Sequence, residues 1–288
     1  MTDNSQNRSA ETPKEELSSI QLKKRKTLAG GWGAIFSTFK HGYKEMGLIR
    51  AIKLLLQVNQ KDGFDCPGCA WPDPDDQRAP VEFCENGAKA IAEEATKHSI
   101  GPKFFQKHSV SWLSQQDDYW LGKQGRLTHP LYLPEGEDHY REISWNEALD
   151  RVAQKLNHLS HPNEAAFYTS GRTSNEAAFL YQLMVRGFGT NNLPDCSNMC
   201  HESSGAAMSE TIGTGKGTVP LDHFYHAEAI FIVGQNPGTN HPRMLTALQH
   251  AVRKGCKIVT VNPIPEAGSM NFKHPQSPGD ILGSGTEL

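Results

Sequence analysis

Residues 229–261 read AIFIVGQNPGTNHPRMLTALQHAVRKGCKIVTV, and this run decides the fold class. Ala229–Val233 is an apolar strand, residues 234–240 (GQNPGTN) a turn, Pro242–Arg253 a helix and Lys257–Val261 a second strand. Strand, glycine turn, helix and strand in this order make a parallel βαβ unit. A related order begins upstream. Ala165–Thr169 reads as a short apolar strand, Ser170-Gly171-Arg172 as its turn, and Thr173-Ser174-Asn175-Glu176 caps a helix running to Arg186. Two such units predict an α/β protein with a parallel sheet. Ligands of open α/β sheets sit outside the carboxyl ends of the strands, where turn N–H groups and helix N-termini face an anion. Residues 170–172, 234–241 and 262–263 fall at such ends. None of these turns carries the dinucleotide pattern GxGxxG, and their glycines and prolines would serve equally as plain tight turns.

Between the two units lies Asn191–Gly205, NNLPDCSNMCHESSG, flanked by Gly187-Phe188-Gly189 and the glycine-rich run 213–217. It is expected to be a loop built for chemistry or for a ligand. Cys200 directly precedes His201. A thiolate is both a nucleophile and a soft metal ligand, and a neighbouring imidazole carries protons or lowers the thiol pKa. The plain alternative makes Cys196 and Cys200 small apolar residues lining a turn. A cysteine-nucleophile enzyme is the weakest reading, since sequence neighbours rarely present their side chains to each other.

The 288 residues carry 29 basic and 32 acidic side chains, enough chain for one or two cores and no charge excess that would attract nucleic acid. No apolar run approaches the length that crosses a bilayer. The polar first thirty residues lack an apolar export core and a twin-arginine pair, so the expected compartment is the cytoplasm. Residues 1–30 are expected to be a disordered tail. From Trp32 to Asn59 apolar residues recur at helical spacing, broken at Gly42 and Gly47, which predicts one or two amphipathic helices. Residues 63–76 form a Pro, Gly and Asp-rich loop with Cys66 and Cys69, and Cys84 follows just before a helical run, Ala88–Lys97. Six cysteines are too few for a disulfide scaffold, and this group is a metal-site candidate. Gly125–Leu133 and Tyr140–Ile143 read as short strands, and Ser144-Trp145-Asn146-Glu147 opens a capped helix to about Leu159.

Several segments resemble one family. Gly125-Arg126-Leu127-Thr128-His129-Pro130-Leu131 with Ile143-Ser144-Trp145-Asn146-Glu147-Ala148-Leu149-Asp150 is similar to the GRLTxPL and ISWDEAL element of molybdopterin-dependent oxidoreductases. Ser170-Gly171-Arg172, Gly189-Thr190-Asn191-Asn192, Cys200-His201 and Gly234-Gln235-Asn236-Pro237 follow in the order found in formate dehydrogenase catalytic subunits. The CPGCAWPD at Cys66–Asp73 resembles the early motif of the formate dehydrogenase-like alpha-subunit branch. The resemblance covers roughly Gly31 to the end.

The resemblance implies an α/β, multi-domain molybdopterin oxidoreductase-like fold with Rossmann-like parallel βα units. It implies a helical, iron–sulfur-like region over 31–124, a strand–helix element over 125–160 and an incomplete molybdopterin-binding domain over 161–288. It implies two-electron chemistry at a molybdenum or tungsten centre held by bis(molybdopterin guanine dinucleotide). Cys200 would be the metal ligand and His201 the proton-handling residue. Gly171, Arg172, Asn175, Gly234, Asn236, His241 and Asn262 would contact the pyrophosphate and guanine ends. A [4Fe–4S] cluster would take Cys66, Cys69 and Cys84, with Asp73 standing where the family pattern has its third cysteine. A zinc held by the three cysteines with His98 or His108, or cysteines acting only as turn residues, are the other readings. Lys89 lies near the position of a family lysine at a different offset. Partners would be a small-molecule substrate and an electron-transfer partner of unspecified kind, with no nucleic acid and no membrane span. Glu202 follows His201 where formate dehydrogenases tend to have glycine, so formate is not implied. Family catalytic subunits run several hundred residues beyond Leu288, so the chain is expected to be a fragment that holds a bis-pterin poorly. The alternative is a cofactor-free α/β binding or scaffold module.

Overall fold

The computed structural model describes residues 26–69, 71–75, 78–194 and 196–288, and the predicted tail lies outside them up to residue 25. The described chain forms two compact units, Thr96–Val152 and, together, Lys26–Ala95 with Ala153–Leu288. The amphipathic helices near the N-terminus thus share a unit with the α/β segment.

That larger unit starts with strand β1 (Ala29–Gly30), then helices α1 (Gly31–Met46), α2 (Leu48–Leu55) and α3 (Glu85–Glu94). The expected tail ends earlier than residue 30 because β1 pairs in parallel with a later strand. Gly30 makes this possible: its φ is 75°, and a Cβ there would lie 3.0 Å from the Phe272 ring. Gly47, at φ 77°, separates α1 from α2, as the sequence break predicts. Met46, Ala51, Val58, Ile91 and Ala92 meet in one core, with Cys66 and Phe83 packed at its edge.

The smaller unit holds β2 (Ser99–Ile100), α4 (Pro102–Lys107), α5 (Val110–Leu113), α6 (Asp118–Gly122), β3 (Arg126–Leu127), β4 (Leu131–Tyr132), β5 (Arg141–Glu142) and the start of α7 (Trp145–Asn157). β2 pairs in parallel with β3, and β4 antiparallel with β5. α7 begins where predicted, with Ser144 Oγ accepting from Glu147 N at 3.1 Å. Phe104, Phe105, His108, Trp112, Trp120 and Tyr140 form its aromatic centre.

The chain then re-enters the larger unit. Of the predicted strand Ala165–Thr169 only Thr169 sits in a β-bridge; among the described residues Ala165–Tyr168 is extended outside any ladder, with Phe167 N donating to Asn192 O at 2.8 Å. An apolar run becomes a strand only with a neighbour that pairs along its length. α8 (Asn175–Phe188) follows, capped by Ser174 Oγ on Ala177 N at 3.3 Å and closed by Gly189 in the left-handed region. Next come α9 (Cys196–Ile212), α10 (Leu221–Phe224), β6 (Ala229–Val233), α11 (Pro237–Asn240), α12 (Met244–Arg253), β7 (Lys257–Val261), β8 (Asn271–Lys273), α13 (Pro278–Leu282) and β9 (Thr286–Glu287). β6 and β7 pair in parallel from Ala229 opposite Lys257 to Val233 opposite Val261, so the predicted βαβ unit is present. Alternate residues Ile230 and Ile232 turn toward Met244, Leu245 and Leu248 of α12, while Phe231 and Val233 are exposed on the other face. The buried Gln249 amide donates to Asp280 Oδ2 at 3.2 Å and Thr286 Oγ1 at 2.8 Å, tying α12 to α13 and β9. Among the described residues no helix is long and apolar enough to cross a membrane.

Candidate functional site

The turn after β6 carries most of the polar groups predicted to meet a cofactor. Gly234 takes φ 70°, its N–H bonds Val261 O at 2.9 Å, and open space surrounds the position of an added Cβ. Asn236 donates from Nδ2 to Thr239 Oγ1 at 2.9 Å, whereas its buried Oδ1 has no partner. A buried carbonyl oxygen without a donor is costly, and this one is packed where Gly238 meets Gly268. Gly238 lies against Gly268 so closely that a Cβ on Gly238 would sit 2.8 Å from Gly268 Cα, which keeps the turn tight.

His241 ends this turn. Gln235 Nε2 donates to His241 Nδ1 at 3.0 Å, which leaves the ring proton on Nε2. Burial, then the charge of nearby His201, holds the His241 pKa below its ordinary value, so the ring is neutral at neutral pH. Trp71 packs against His241 at 6.2 Å and Phe224 at 5.4 Å between ring centroids. Asn262, at the end of β7, accepts from Ile264 N at 3.0 Å. Gly171 and Arg172 are exposed on a turn fixed by Thr173 N to Ser170 O at 3.0 Å, and Asn175 is the exposed first residue of α8.

Cys200 and His201 lie on α9, not on the expected loop. The segment from Cys196 to Ile212 is polar and small-residued, with alanines, methionines and glutamates that favour a helix, and Gly213 at φ 79° stops it. Both side chains are exposed. Successive helical residues point about 100° apart, which removes the Cys–His nucleophile pair as a reading. The side chain of Cys196 lies outside the described residues.

The cysteine loop is organised by Asn59, 4% exposed and held at φ 55°. Its N–H donates to Phe64 O (2.8 Å), Nδ2 donates to Glu82 O (2.7 Å), Oδ1 accepts from Cys66 N (2.8 Å) and its carbonyl accepts from Arg78 (2.5 Å). Cys84 caps α3, its sulfur accepting from Gly87 N at 3.3 Å, and Cys66 Sγ accepts from Gly68 N at 3.4 Å. A Cβ on Gly87 would lie 2.9 Å from Cys66 Sγ and 3.8 Å from Cys84 Sγ, so this glycine leaves room beside both sulfurs. Burial pushes both thiols up; N–H donors oppose it, as do Arg243 and Arg172 at Cys66, and the neighbouring cysteines add to it.

Asp73 does not join the sulfurs. Its Oδ1 receives Arg243 at 2.6 Å and its Oδ2 faces Arg78 at 3.6 Å. Among the described residues no group of three His, Cys, Asp or Glu side chains is placed to hold a metal ion. The predicted ligand set of Cys66, Cys69, Cys84 and Asp73 therefore does not fit a four-ligand cluster, because the carboxylate is already engaged. His98 and His108 belong to the other unit, and Lys89 pairs with Glu85 at 2.6 Å. A cleft of about 800 Å³ beside the loop is lined by Trp71, Asp73, Glu82, Tyr225, Arg243 and His250. Sequence reasoning missed Asn59, Gln235, Trp71 and Arg243 as organising residues. Trp71 and Gln235 stood inside quoted motifs, whereas nothing in the local sequence marks Asn59 or Arg243.

An open glycine turn at a strand end with a neutral imidazole beside it suits a cofactor-binding α/β domain. The molybdopterin oxidoreductase family matches residues 126–282, and the chain belongs to it. It is 55% identical over 269 residues to an uncharacterized oxidoreductase of Mycobacterium tuberculosis, covering 93% of this chain and 34% of that protein. It is 47% identical over 254 residues to protein YdeP of Escherichia coli, covering 88% and 33%. It is 32% identical over 145 residues to the F420-dependent formate dehydrogenase 1 subunit alpha of Methanococcus maripaludis, covering 50% and 21%. The chain thus spans about a third of the length of the first two relatives.

Proposed function

We propose that this chain supplies part of the shell of a bis(molybdopterin guanine dinucleotide) centre in a two-electron oxidoreductase, with Cys200 as the protein ligand to molybdenum or tungsten. The observation that carries the reading is the match of residues 126–282 to the molybdopterin oxidoreductase family, a span in which Cys200 is an exposed thiol and the β6 turn offers an open glycine at Gly234.

The cofactor, when bound, supplies the two-electron redox chemistry. Cys200 contributes a soft thiolate, the donor type that suits a metal already held by sulfur. His201, one residue on, receives or returns the proton that accompanies the electrons. Neutral His241, oriented by Gln235, offers an Nε2–H donor toward a bound anionic group. Gly234, Asn236 and Asn262 offer strand-end backbone and amide groups to the nucleotide portion, and Gly171, Arg172 and Asn175 offer a cationic turn and a helix start to its phosphates. The substrate is a small molecule, and the electrons pass to a separate carrier. The thiols of Cys66, Cys69, Cys84, Cys200 and Cys256 suit a reducing compartment, and the reading assigns the protein to the cytoplasm. A [4Fe–4S] cluster is left out of this reading because of the engagement of Asp73.

The test is molybdenum, tungsten and pterin content per chain in protein purified anaerobically from its host, compared with Cys200→Ser and with Cys256→Ser as a control. The expected result is a loss of about tenfold or more in retained metal for Cys200→Ser alone. Equal metal in all three proteins, or none in the unaltered protein, overturns the reading.

A further inference from the structure

Three features outside the proposed cofactor shell invite explanation: the cleft beside Tyr225 and His250, the exposed apolar residues of α1 and α2, and the charged group around Arg243. The third carries an inference. Arg243 lies just before α12, its side chain only 13% exposed. It donates to Asp73 Oδ1 at 2.6 Å and to Glu82 Oε1. Arg78 faces Asp73 Oδ2 at 3.6 Å, and the Ala79 N–H donates to Glu82 Oε2 at 2.7 Å. All four carboxylate oxygens are thereby engaged, and two guanidinium charges balance two carboxylate charges.

We infer that Asp73, which stands at the third cluster-ligand position of the family pattern, is not a metal ligand but the anchor of an ion-pair lock through which Arg243 fastens the cysteine loop to α12. The chemistry favours this assignment. Transferring Asp73 to a metal would leave the Arg243 guanidinium mostly buried with half its partners gone, and removing one partner of a buried ion pair is strongly unfavourable. Arg243 presents a planar fork that reaches both carboxylates at once, an arrangement that a lysine cannot reproduce. The lock also has a positioning role. Trp71, two residues before Asp73, packs on His241, so fixing Asp73 fixes the aromatic contact at the end of the β6 turn. None of this depends on molybdenum binding at Cys200.

The test measures iron per chain, with and without anaerobic reconstitution by iron and sulfide, and urea-unfolding midpoints for Asp73→Asn, Arg243→Met and the double variant. A lock predicts that each single variant lowers the midpoint, that the double variant is no worse than the more damaging single one, and that Asp73→Asn carries the same iron per chain as the unaltered protein. Iron lost in Asp73→Asn but kept in Arg243→Met would make Asp73 a ligand and overturn the inference, as would strictly additive midpoint shifts. Should Arg243→Met not fold, Arg243→Lys keeps the charge without the fork and yields the same comparison. Molybdenum content, followed in parallel, separates failure of this inference from failure of the Cys200 assignment.

Discussion

Helices α12 and α9 stand close in sequence and opposite in character. Met244, Leu245, Ala247, Leu248, Gln249 and Ala251 of the 10-residue α12 are buried, whereas the described side chains of the 17-residue α9, Cys200 and His201 included, are largely exposed. The apolar residues of α12 recur at three- and four-residue steps and give it a face to bury; those of α9 follow no such period. One helix therefore holds the fold, and the other presents chemistry. The side chains with the most reactive potential sit where packing constrains them least.

The sharpest way to break this contrast is to delete side-chain volume from each helix. Leu248→Ala, at a fully buried position, is expected to cost about 2–5 kcal/mol in denaturant unfolding, whereas Met199→Ala on α9 should stay within about 0.5 kcal/mol. Comparable losses at both positions would mean that α9 is packed after all. Asn59→Ala is expected to cost about 2 kcal/mol or more, since it strips two buried hydrogen bonds and leaves at positive φ a residue that tolerates it less well than asparagine. Asn59→Gly should recover only the backbone part of that loss, and a full recovery would show that the hydrogen bonds contribute little.

Acid titration gives a shallower effect confined to the packed side of the comparison. His241, His250 and His274 all have folded pKa values below the ordinary 6.5, in each case chiefly through burial. The unfolded chain then binds protons more readily, so stability is fully present above pH 6.5 and falls as pH drops through the lower folded values. Urea midpoints at descending pH should show this decline, and His250→Gln with His274→Gln should flatten it. A flat profile in the unaltered protein would contradict the lowered values of these rings. A modest loss is expected at the start of α8, where Ser174→Ala removes a cap and should cost about 1 kcal/mol, readable as a small drop in thermal midpoint.

Much of this architecture is legible in the residues because its signals are local. The βαβ order of Ala229–Val261, the break at Gly47 and the caps at Ser144 and Ser174 depend on neighbours within a few positions, and the structure keeps them. What escaped depends on distant partners. Ala165–Thr169 has strand composition yet only Thr169 finds a bridge, and β1 forms only because Gly30 meets Lys273. The placement of Cys200 on a helix was hidden because α9 has no apolar stripe to announce it. Asp73 read as a ligand candidate because its spacing matched a cysteine, while its actual partner lies 170 positions away.

The pairing of β1 with β8 bears on how the chain comes to be folded. Ala29 sits opposite Phe272, so a sheet contact of the larger unit cannot close until the segment that carries Phe272 has left the ribosome. Thr96–Val152, by contrast, is one uninterrupted stretch whose partners all emerge early. During synthesis the inserted unit can mature while Ala29 and Gly30 still lack their strand partner. That interval is when a chaperone has most to hold.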